Sequence, residues 1–297
     1  MKNALIKLFV LVYIINFLPA HAVLAINTAP GFFYAPENDV LTRGYAERID
    51  EKTLTYAVKN ARGYGMTDAA AGVVPHHLTA APLIAGFFSA VGAGDAYDAV
   101  VLLGPDHYGT GNDITVSGAD WGHGVECGAD LTAAIMDIEL TDGSIIFDDA
   151  DTTDHAVGAL IPFIGRYLPG AAVAPVLINK SLSYGDALMF AAALTEIIGA
   201  SGQNILLLCS VDFSHYLTPD AARARDAETL DAMKRYDYRQ IYGFTDSNAD
   251  CRAALIVFLY FLATNGFEFT VLDHADASAF TGPCINETTS YFILVGH

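Results

Sequence analysis

Unbroken apolar runs of strand length that stop on histidine constrain this chain more than any other feature. "AGVVPHH" (Ala71–His77), "AVVLLGPDH" (Ala99–His107) and "NILLLCSVDFSH" (Asn204–His215) all have this form. "DITVSGA", "AVAPVLIN", "FEFTVLDHAD" and "SYFILVGH" add four further strand-like segments. Continuous rather than alternating apolar strands are covered on both faces, as in a parallel sheet flanked by helices. Helical stretches lie between most of them. Residues 79–91 are apolar all round, 184–199 end on glycine, and 219–236 open on a proline suited to a first turn. Residues 255–262 are apolar and fit a core helix. The pattern predicts an α/β protein, three-layer α/β/α, with a central mixed, mostly parallel sheet.

In such folds ligands bind beyond the carboxyl ends of the strands. The residues there are His76 and His77, His107, and Asp212, Ser214 and His215. A lone histidine at a strand end is usually a surface residue. Three on neighbouring strands would converge on one cleft, as a metal or acid–base site. Two further places carry chemistry. Asp250 and Cys251 start the apolar helix, where a helix N-terminus favours a thiolate, which is both nucleophile and soft ligand. Asp154 and His155 lead a helix with apolar Val157, Leu160, Ile161 and Ile164.

The net charge of −19, with only 15 basic residues, argues against nucleic acid or an anionic membrane surface as partner. A small-molecule or peptide ligand, or a metal ion, is compatible with it. Residues 1–25 carry Lys2 and Lys7, an apolar run and the small-residue "AHA", which fits an export signal. An uncleaved anchor over residues 8–25 is the competing reading, and the only one that would place the chain in a membrane. Export predicts a periplasmic or extracellular protein whose residues 26–297 form a single domain. Four cysteines without a C-x-x-C pair exclude a zinc ribbon. In an oxidising compartment Cys127, Cys209, Cys251 and Cys284 allow three pairings.

Taken in order, "APGFFYAPEND", "GVVPHH", "VLLGPDHYG", "DHAVGALIPFI", "SVDFSHY", the cysteine at a helix start and "TTSYFILVGH" resemble the Memo family, also called AmmeMemoRadiSam system protein B. The resemblance covers nearly all of the chain after the export-like segment. It implies a fold similar to class III extradiol dioxygenases. It also implies a transition metal, iron or copper with zinc as a third choice, held by His76, His107 and Cys251. Asp212, His215 and His155 would line the same pocket as catalytic groups. Gly104-Pro105 would turn the backbone at the strand end, Asp106 or Asp212 would orient a ligand histidine, and Tyr108 would wall the pocket.

The chain departs from the family pattern in three places. "PHHLT" stands where the family has P-H-A-G-Y, adding His77, itself an alternative ligand to His76. Asp154 and Gly158 replace two glutamates, and "CRAAL" replaces a cysteine-glycine turn. Three functions follow: a metal-dependent oxidoreductase or dioxygenase-like enzyme, a non-catalytic metal- or partner-binding protein with a vestigial site, or a hydrolase using Cys251 as nucleophile.

Overall fold

A computed structural model describes residues 51–297 apart from 110–111, 119–120, 149–153 and 284–285. The N-terminal export-like segment and Cys284 lie outside the described residues. Among the described residues eight strands form one sheet: β1 (Ala71–Val74), β2 (Ala99–Pro105), β3 (Ile114–Val116), β4 (Ile145–Phe147), β5 (Ala172–Ile178), β6 (Ile205–Ser210), β7 (Phe269–Asp276) and β8 (Ser290–Gly296). Their spatial order is β4-β3-β5-β2-β6-β1-β8-β7. The central four, β5-β2-β6-β1, are parallel, while β3 pairs antiparallel with β5 and β8 antiparallel with β1. The sheet is therefore mixed with a parallel centre, as the unbroken apolar runs predict.

Helices cover both faces. One face carries α1 (Glu51–Lys59), α2 (Ala81–Val91), α4 (His155–Gly158) and α5 (Ile161–Tyr167). The other carries α3 (Ala129–Met136), α6 (Tyr184–Ala200), α7 (Pro219–Lys234), α8 (Tyr238–Tyr242) and α9 (Arg252–Asn265). A short α10 (Ser278–Thr281) follows β7. The strands feed both layers by alternation. Val101 and Leu103 face the α6/α9 core, and Val100 and Leu102 face the α2/α5 core. α9 is buried along nearly its whole length, and Gly266 ends it in the left-handed conformation at φ 70°. No helix among the described residues is long and apolar enough to cross a membrane.

Two details of β2 set the site. Pro105 sits within the strand, paired with Ile178 of β5, and the ladder to β6 has already stopped at Leu103. A proline is tolerated there because one side of the strand needs no N–H. Gly104 is also in the ladder, so neither residue turns the chain. The reason for Gly104 is a close approach instead: a Cβ on it would lie 2.9 Å from the Cβ of Ala156. The missing side chain lets the start of α4 press against β2, next to His107.

A candidate metal centre at the strand ends

Because β2, β6 and β1 are adjacent, the three histidine-bearing ends meet. His76 is 2 % exposed, and its ring lies 5.1 Å, centroid to centroid, from those of both His107 and His155. His107 and His155 stack at 4.1 Å. Asp212 and Asp250 are buried beside His76. The His76 Nε2 atom is 3.2 Å from Asp250 Oδ2 and 3.6 Å from Asp212 Oδ2, and His107 Nε2 is 3.9 Å from Asp250 Oδ2.

The backbone holds each carboxylate by one oxygen. The His76 N–H donates to Asp212 Oδ1, and the Asp212 N–H donates to Asp250 Oδ1. This leaves Oδ2 of both acids pointing at His76 with no aligned hydrogen bond. His76 Nε2 is likewise buried and without a hydrogen-bond partner. Its tautomer follows from its other nitrogen. The Ser210 hydroxyl donates to the Ala156 carbonyl, so at 3.0 Å it accepts from His76 Nδ1–H. The Nε2 lone pair therefore faces the two carboxylates. Three buried polar atoms without a hydrogen-bond partner within 4.8 Å of one another are costly to a folded protein unless a proton or a metal cation joins them.

His107 is fixed in the same way. Its Nδ1 lies 2.8 Å from Asp154 Oδ1, and Asp154 Oδ2 accepts from the His107 backbone N–H. Asp154 also caps α4 through Ala156 N. One carboxylate thus starts the helix and orients the His107 ring, leaving His107 Nε2 toward the cluster. Burial pulls the His107 pKa down, but Asp154 outweighs it and the net shift is upward. Burial holds His76 well below the ordinary imidazole range. His155 is lowered to about 4 by burial and by His107 beside it, so its ring is neutral near pH 7. Burial raises Asp250, whereas Asp212 is lowered, its burial outweighed by His76 and His77.

The family described as Memo-like protein matches residues 28–292. The chain belongs to this family. A MEMO1 family protein of Pyrobaculum arsenaticum is 28 % identical over 287 residues, covering 90 % of this chain and 96 % of that one. Another, of Methanosarcina acetivorans, is 28 % identical over 151 residues, or 49 % of this chain and 54 % of its own length. A crystal structure of an uncharacterized Escherichia coli K12 protein aligns at a TM-score of 0.49 and 11 % identity, over 75 % of this chain and 99 % of that one.

Within this Memo-like frame, the expected residues His76, His107, Asp212 and His155 do come together, with His215 at the edge of the cluster. Cys251 does not join them. It is 3 % exposed, packs in the α6/α9 core, and belongs to none of the donor groups of the described residues. Burial, and then the Asp250 carboxylate, push its thiol up to about 12. The thiolate expected from the helix start is not favoured, because desolvation outweighs the helix terminus. The preceding residue, Asp250, places its carboxylate at the cluster instead, 3.2 Å from His76 Nε2. Asp250 was visible in the sequence beside the cysteine; its orientation was not.

Two smaller expectations are also corrected. Asp154, not Asp106, orients His107. Asp106 binds the Tyr108 and Gly109 N–H groups and the Asn179 side chain, which shapes the loop. Tyr108 is 58 % exposed and does not wall the cluster. His274 stands apart, 2.8 Å from Asp226, which also accepts from Ser214 and Ser290. That network ties the Ser214 loop to α7 and β8. Cys127, Cys209 and Cys251 are free thiols among the described residues.

Asp154→Asn keeps the shape but weakens the hold on His107 and removes the anionic partner of its Nδ1–H. Metal affinity is expected to fall by roughly 10–100-fold, as for other groups that orient a ligand. Isothermal titration with Zn(II) checks this; an unchanged affinity would show that His107 is not a ligand.

Proposed function

We propose that this chain is a non-haem metal-dependent oxidoreductase, with His76, His107, Asp250 and Asp212 holding one transition-metal ion. The observation that carries the reading is the convergence of His76 Nε2, Asp212 Oδ2 and Asp250 Oδ2, all buried and unsatisfied. Two imidazoles with carboxylate oxygens suit ferrous iron, and the lack of a thiolate in the set weakens the case for copper. Bound there, iron would supply redox chemistry with positions left for small molecules.

The chain's own groups suit that role. The His76 side chain is 1 % exposed, but those of His77, His107 and His155 are 22, 24 and 21 % exposed, so the imidazole side of the cluster is reachable from solvent. Neutral His155, stacked on His107, can accept a hydrogen bond from a substrate hydroxyl at that opening. Asp154 prevents His107 from changing tautomer. The overall negative charge favours a neutral or cationic substrate. An oxidisable cysteine ligand would count against dioxygenase-like chemistry, and Asp250 in its place removes that objection.

The test is anaerobic loading with Fe(II), followed by nitric oxide and electron paramagnetic resonance. One iron per chain with a strong nitrosyl signal, absent in His76→Ala, supports an open redox site. Iron without a nitrosyl signal would instead favour a closed, non-catalytic metal-binding protein.

A further inference from the structure

We propose that the chain binds a second divalent transition-metal ion between His77, Asp212 and His215, beside the first. The proposal rests on the reading of the His76 cluster as a metal centre, with which it shares Asp212. His77, Asp212 and His215 offer donor atoms that lie within 4.8 Å of one another. His77 Nδ1 is 3.0 Å from Asp212 Oδ2, and the His77 and His215 rings are 5.9 Å apart. His215 is 9 % exposed, and its Nδ1 is buried with no hydrogen-bond partner. A simple ion pair between His77 and Asp212 leaves His215, the third donor of the group, out of account; a cation joins all three.

Asp212 is built to be shared. Its Oδ1 is occupied by the His76 N–H. Its Oδ2 lies between the two donor sets, 3.6 Å from His76 Nε2 on one side and 3.0 Å from His77 Nδ1 on the other. A carboxylate oxygen so placed suits paired ions, which in two-metal sites stand about 3.5–4 Å apart. The positions of the donors are firm. Only Pro75 separates His76 and His77 from β1, and the His215 N–H is bonded to the Asp246 carbonyl. His77 is also the residue that this chain has where the family pattern reads alanine, so the second donor set depends on a feature of this sequence. With a fifth of its side chain exposed, His77 places the second ion on the solvent side, where it exchanges faster than the first.

The experiment is equilibrium dialysis of the metal-free protein against Zn(II), with elemental analysis, on wild type, His76→Ala, His77→Ala, His77→Gln and His215→Ala. Circular dichroism verifies folding of each. Mn(II)-loaded wild type is examined in parallel by electron paramagnetic resonance. The expected result is two zinc ions per wild-type chain and one in each His77 and His215 variant, with the affinity of the remaining ion unchanged. Exchange-coupled manganese signals are expected in wild type and uncoupled ones in His77→Ala. One ion in wild type, lost in His76→Ala and indifferent to His77 and His215, overturns the second site and leaves the first standing. No zinc in wild type overturns both.

Discussion

Replacing Asp250 with asparagine, or His76 with alanine, is expected to lower metal affinity by more than ~100-fold, while Cys251→Ser leaves it within about threefold. Residues that merely orient ligands cost up to about 100-fold, so a ligand itself should cost at least that. The contrast between neighbours is the informative part. The Asp250 carboxylate is 3.2 Å from His76 Nε2, whereas the Cys251 thiol is packed in the core and protonated. A titration in which Cys251→Ser loses the metal and Asp250→Asn keeps it would sink the ligand set of His76, His107, Asp250 and Asp212.

The same variant should behave oppositely without metal. Burial raises the Asp250 pKa, and its Oδ2 is unsatisfied. Leaving such a group buried costs on the order of 1–3 kcal/mol. Metal-free Asp250→Asn is therefore expected to melt above metal-free wild type, and calorimetry with a chelator present measures this directly. A lower melting temperature would mean that Asp250 is satisfied in a way the geometry does not reveal.

Gly104→Val is expected to destabilise the protein by roughly 2–3 kcal/mol, the upper range for overpacking a closed core. A Cβ alone would already stand 2.9 Å from the Ala156 Cβ, and the two branches of valine have nowhere to go between β2 and α4. Relief requires α4 to shift, which carries Asp154 and His155 away from His107. Stability and metal affinity should thus fall together, although residue 104 touches no ligand. A urea denaturation midpoint equal to wild type would show that α4 is free to move.

The strands that build the site were legible because each is a continuous apolar run of five or more residues or is bracketed by turn residues. The helices α6 and α9 were legible from length and apolar content. What escaped was short or mixed. β4 is three half-exposed to exposed residues, Ile145–Phe147, and α1 has only Ala57 buried, so neither carries a strong pattern. At the site, the histidines could be found because strands and side-chain types suffice to place them. The choice between Asp250 and Cys251 depended on the backbone at the helix start, where Cys251 has φ −125° and ψ 74°. No residue type encodes that angle. Asp154 was visible as a replacement for glutamate, but its bond to His107 needs the close approach that Gly104 permits.

The sheet order also has a temporal meaning. β1, which delivers His76 and His77, lies between β6 and β8. Residues 71–77 leave the ribosome early, yet both of their neighbouring strands are made much later. Until β6 and β8 emerge, the early segment is an apolar strand with two bare edges, the form most prone to pairing with a wrong partner. The centre therefore cannot be loaded during synthesis of the first half of the chain. If the centre holds the metal proposed above, its capture is a signature of completed folding, and a loaded chain has also passed its most aggregation-exposed stage.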